Sequence, residues 1–204
     1  MRLLFIFILF LSLNYAYAQQ KPNWQDGVIV LRDGSIIESE IAFNPVLIEG
    51  LVLIKTEDAV KNFTPLYVDY FLLQNTDGAG NTKFYSLPIE LKNQGITRYF
   101  FFEVCYESSS IALLKRDFQP LDFSKPKIKP VKRVVQKWFL IDPANGELRL
   151  IRDDKKIDRK TLFSSFNKYE DEMRDYISEN RLKLTETEEL IQALQYFTSL
   201  KEKE

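Results

Sequence analysis

Between Trp24 and about Arg116 apolar and polar residues alternate with a period of two, the spacing of half-buried strands. Residues 27–32 and 35–43 are rich in β-branched side chains and flank Asp33-Gly34, a dipeptide that accepts positive φ in a tight turn. They predict a β-hairpin, ended at Asn44-Pro45 because proline lacks the N–H that a central strand needs. Residues 51–56, 66–73 and 83–87 predict three more strands, with a turn-rich loop at 75–81. In residues 97–107 the alternation puts Phe100, Phe102, Val104 and Tyr106 on one face, the better core candidate. Phe101, Glu103, Cys105 and Glu107 fall on the other. Residues 111–116 add a further strand. Six or seven strands on short turns predict an antiparallel β-sheet domain over residues 19–120, a small barrel or sandwich.

The pattern then changes twice. Residues 121–133 carry Pro126 and Pro130 among crowded cations and read as an extended connection. Residues 134–141 and 147–151 flank the turn-forming loop 142–146 and predict a β-hairpin. Beyond it the spacing is helical. Asp158 is a cap for a short helix carrying Leu162, Phe163 and Phe166, and Tyr169, Met173, Tyr176 and Ile177 share one face of the next. Thr185 and Glu188 form a capping-box pattern that opens a helix with Leu190, Ile191, Leu194, Phe197 and Leu200 along one stripe. The fold class expected is α+β: an antiparallel sheet domain, then, over 134–204, a β-hairpin plus a C-terminal helical tail.

The start of the chain follows neither pattern. Arg2, the apolar run at residues 3–11 and Ala16-Tyr17-Ala18 match a secretory signal peptide at residues 1–18, cleaved between Ala18 and Gln19. The run is too short to span a bilayer, and no cysteine stands at the cleavage point to carry a lipid anchor. The expected product is exported, periplasmic or extracellular, with no transmembrane segment in the mature chain.

Composition removes most catalytic chemistry. With no histidine there is no Ser-His-Asp, Cys-His or His-metal arrangement, and one cysteine gives neither an intrachain disulfide nor a Cys-based metal site. The 28 basic and 29 acidic residues balance, which argues against nucleic acid as a partner. Cys105 lies between Glu103 and Glu107, which raise a thiol pKa, and reads as a small core filler. The strand carboxylates Glu38, Glu40, Glu103 and Glu107 are the remaining acid–base groups and read as solvated or lysine-paired. The aromatics Tyr67, Tyr70, Phe71, Tyr99, Phe100, Phe101, Phe102 and Tyr106 read as core rather than as a cavity lining. Asn62-Phe63-Thr64 matches a glycosylation sequon, and residues 77–81 read as a turn rather than a calcium loop. Lys125, Lys127, Lys129, Lys132 and Arg133 are the candidate contact for an anionic surface. No catalytic residue, cofactor or metal is assigned.

The opening Trp24…Gly27-x-Ile29-x-Leu31-x-Asp33-Gly34, Phe63-Thr64-Pro65, Ala112-Leu113-Leu114-Lys115-Arg116 and the 184–200 tail together resemble uncharacterised exported proteins of Bacteroidota. The resemblance implies a Gram-negative envelope location and brings no catalytic residue. The leading expectation is a non-enzymatic exported binding or structural module of the cell envelope, with an envelope protein or glycan as partner. The alternatives are a carboxylate-dependent glycan hydrolase and an apolar-ligand carrier. An open cleft with facing carboxylates favours the hydrolase, a closed apolar hole the carrier, and a filled interior the module.

Overall fold

Asp33-Gly34 turns the chain back on itself: Gly34 has φ +87°, its N–H donates to the Leu31 carbonyl, and the Ser35 N–H donates to Asp33 Oδ1. The resulting hairpin joins β1 (Trp24–Leu31) to β2 (Ile36–Phe43). This computed structural model describes residues 22–45, 50–75, 78, 80–91, 95–122, 129–130 and 133–203. The expected export signal lies outside the described residues.

The remaining strands are β3 (Val52–Lys55), β4 (Val60–Phe63), β5 (Val68–Gln74), β6 (Asn81–Leu91), β7 (Ile96–Glu107) and β8 (Ala112–Phe118), then β9 (Leu121–Asp122), β10 (Lys129–Pro130), β11 (Val135–Asp142), β12 (Glu147–Asp153) and β13 (Lys156–Ile157). Eleven of them form one antiparallel sheet in the order β13-β12-β11-β8-β7-β6-β5-β1-β2-β3-β4, while β9 and β10 pair separately. The α+β architecture is as expected, but the sheet does not close. The second hairpin adds to it, because β11 pairs with β8 from Val135↔Phe118 to Ile141↔Ala112. Strand β4 breaks the apolar alternation, and three of its four residues are exposed. Pro88 sits inside β6 opposite Tyr99, beyond the stretch of β6 that pairs with β5, so its missing N–H costs no ladder bond.

Both faces of the sheet carry apolar clusters. On one face Ile29, Ile41, Val52, Ile54 and Phe71 are fully buried, and Phe43 reaches from β2 to the rings of Phe84 and Phe101 at 5.0 and 5.5 Å. The sheet thus curls over its own side chains near the β4 edge. Toward the β13 edge the same face carries Leu113, Trp138, Leu140 and Ile151 under the helices. The opposite face holds Phe102, Ala112, Leu114 and Phe139.

A bulge at Cys105 decides which residues meet. Val104 pairs with Leu114 and Tyr106 with Leu113, leaving Cys105 as the extra residue. The strict alternation expected for 97–107 therefore fails after Val104. Tyr106 joins the helix-covered cluster and bonds to Thr198 at 3.0 Å, while Glu107 lies on the opposite face with Tyr85. The other face is core as well, since Phe101 and Phe102 are both buried.

Three helices close the helix-covered side: α1 (Arg159–Ser164), α2 (Glu170–Glu179) and α3 (Thr187–Lys201), with a 3₁₀ turn at Asn167–Tyr169. Asp158 caps α1 as expected, accepting from the Thr161 N–H at 3.1 Å. Met173 and Ile177 of α2 and Leu190, Leu194 and Phe197 of α3 are buried together, and Tyr176 stacks on Tyr196 at 3.8 Å. Thr185 does not cap α3. That helix starts from an extended Glu186 with no side-chain cap, and Arg152 of β12 holds the Thr185 carbonyl just before it. Among the described residues no helix is long and apolar enough to cross a membrane.

Candidate functional site

A cleft of about 610 Å³ opens between α1, the C-terminal end of α2 and the loop at 180–185. Its floor is Phe163, Ile177 and Leu182; its rim carries Arg159, Arg174, Arg181 and Lys183, with the hydroxyls of Ser178 and Thr185. Among the described residues no carboxylate lines it. Arg174 sits over the Phe163 ring, its guanidinium carbon 4.0 Å from the centroid, and donates to Glu170 one turn earlier. Among the described residues Arg159, Arg181 and Lys183 pair with no carboxylate.

The loop that carries two of these cations has a fixed backbone. Arg181 and Leu184 adopt left-handed φ of +53° and +63°, a region that costs a residue with a Cβ about 1–2 kcal/mol. Three things hold it there. The Leu182 N–H returns to the Ile177 carbonyl at 3.0 Å, Leu184 is fully buried, and Arg152 grips Thr185. Arg152 itself is buried over the Trp138 ring.

Carboxylates gather elsewhere. On the face away from the helices, a groove of about 570 Å³ is lined by Asp26, Glu38, Glu40, Gln74 and Asn81. The hairpin register sets Asp26 opposite Glu40, which forms an ion pair with Lys55. Further along that face Lys83, Tyr85 and Glu107 bond to one another. Burial pulls the Lys83 ammonium down, but hydrogen bonds to Tyr85 and Glu107 outweigh it and leave it above its ordinary value. Burial pushes the Glu107 carboxyl up, and the bonds from Tyr85 and Lys83 outweigh that, leaving it low. Burial, reinforced by its bond to Glu107, raises the Tyr85 phenol. None of the three is tuned toward neutrality, where an acid–base catalyst works best.

The residues singled out from sequence fall in several places. Glu40, Glu103 and Glu107 pair with Lys55, Lys115 and Lys83, while Glu38 lines the carboxylate groove. Cys105 is half-buried, its thiol pushed up to about 12 by burial and then by the Glu103 charge. Phe71, Phe101 and Phe102 are core, whereas Tyr67 is exposed. Lys125, Lys127 and Lys132 lie outside the described residues. Lys129 pairs through its backbone with Asp122, and Arg133 forms an ion pair with Asp154 at 3.0 Å. The structure therefore brings together a different set of cations, on two helices and a loop. Arg174, Ser178 and Arg181 follow i, i+4, i+7 spacing, the one trace of the cleft in the sequence. Asp26 was not legible: a two-residue turn of Asp33 and Gly34 would set it opposite Ile41, whereas the loop takes in Arg32 as well, pairs Leu31 with Ser35 and so sets Asp26 opposite Glu40.

Among the described residues no three His, Cys, Asp or Glu side chains are placed to hold a metal ion. Compared with known proteins, the chain matches no family model, no curated protein and no solved structure.

Proposed function

We propose that the protein is a non-enzymatic binding module of the cell envelope, exported to the periplasm or beyond, which holds an anionic envelope protein or glycan in the cleft beside α1 and α2. The cleft carries this reading: four cations converge on an open, apolar-floored space without a carboxylate among them. The filled interior supports it too. Fully buried Ile29, Ile41, Val52, Ile54 and Phe71 occupy the curled sheet. The location rests on the pattern at residues 1–18.

Titration of the isotope-labelled protein with a poly-glutamate peptide tests the reading. Amide shifts are expected at Arg159 and across 174–185, weakening as salt rises. Unchanged amides at low salt would remove the cleft as a docking site.

The carboxylate groove favours glycan hydrolysis as a second reading, since Asp26, Glu38 and Glu40 share one open face. Release of reducing ends from envelope glycan that is lost in Glu38→Gln would establish it. Equal, background release by both proteins would retire it.

A further inference from the structure

We infer that the cleft binds a phosphate monoester with an apolar body, a proposal that rests on the docking reading above. The phosphate sits among Arg159, Arg181 and Lys183, and the body lies against Leu182 and the apolar stems of the side chains around it. Charge selects the headgroup. Three cations with no carboxylate of their own call for more than a single negative charge, and a phosphate monoester carries nearly two at neutral pH. Guanidinium groups match its oxygens in bidentate fashion, and the Ser178 and Thr185 hydroxyls are further donors to them. The floor selects the rest. Phe163 and Ile177 are closed off by their own packing, but Leu182 is half-buried and the surface open in the cleft is more apolar than polar, so a bare inorganic anion would leave apolar surface facing water.

The competing explanation is that these cations only answer the negative end of α2. Two observations count against it. The carbonyls of Tyr176, Ile177 and Ser178 already accept backbone N–H groups from Asn180, Leu182 and Arg181. Arg159 stands at the opposite kind of helix end, for α1 opens with Arg159-Lys160 and has no acidic residue in its first turn. Its positive charge is unfavourable there for the helix, yet it faces the cleft.

Calorimetry of the full protein against decyl phosphate, decanoate, decyl sulfate and inorganic phosphate tests the inference. Decyl phosphate is expected to bind at least about tenfold more tightly than each of the others. Arg159→Gln and Arg181→Gly should each weaken it about tenfold, the loss of one charge-assisted contact. Arg181→Gly keeps the test clear of folding, because glycine relieves the left-handed strain and should hold or raise the melting point. Sedimentation with phosphatidylcholine vesicles containing phosphatidic acid, beside titration with phenyl phosphate, separates a lipid-borne from a soluble source; binding in either arm supports the shared chemistry. If decanoate or decyl sulfate binds as tightly as decyl phosphate, the docking site stands and the phosphate assignment falls. If no anion binds, both fall.

Discussion

The single thiol shows how environment overrules residue type. A cysteine acts as a nucleophile when a cation or helix N-terminus lowers its pKa. Cys105 has the reverse: burial and Glu103 hold it at about 12, and the Lys115 ammonium nearby is drawn off into an ion pair with Glu103 at 2.8 Å. At pH 8 such a group is thiolate in only about one molecule in ten thousand. Native protein should therefore resist iodoacetamide at pH 8 and react once unfolded, as mass spectrometry would show. Cys105→Ala should cost less than about 1.5 kcal/mol and leave anion binding unchanged. Rapid labelling of the folded protein would contradict this.

At the scale of elements, α3 carries the largest packing contribution in the helical layer. Leu190, Leu194 and Phe197 are each at most 3% exposed, and burial of such side chains is worth about 1.5–3 kcal/mol apiece. An isolated helix of this length is marginal, so the stripe is what docks it. Leu194→Asp is expected to lower stability by about 3 kcal/mol or more, because a charge would be buried without a partner. A thermal melt with an unchanged midpoint would mean that α3 is free. The stripe was legible because its spacing matches the helix period, and so was the first hairpin, though not its register, since Arg32 joins Asp33 and Gly34 in the loop and Leu31 pairs with Ser35. Strand β4 was hidden because Val60-Lys61-Asn62-Phe63 lies at a sheet edge and lacks an apolar face. The cation cleft was hidden for another reason. Arg159 meets Arg181 only through the folding of α1 against α2, and nothing in local spacing encodes that meeting.

The whole molecule unites its two halves through one ladder, with β8 bonded to β7 on one side and to β11 on the other. The two tryptophans sit one in each half, Trp24 on β1 and Trp138 on β11. Fluorescence melts of Trp24→Phe and Trp138→Phe should therefore give coincident midpoints once each variant's own stability change is matched by circular dichroism. Separate transitions would show two folding units. The joint between the halves is β7, and the extra residue there acts as a change of phase. Upstream of it even-numbered side chains face away from the helices; downstream the odd-numbered ones do. Straightening the strand with Cys105 kept in the ladder would set Cys105 opposite Leu113, swing Tyr106 away from Thr198 and turn Glu107 in under α3, whereas deleting position 105 would leave Tyr106 opposite Leu113. What the bulge does is take up one surplus residue: a side chain of many kinds serves there, and the faces of the strand beyond it are kept because the ladder skips it.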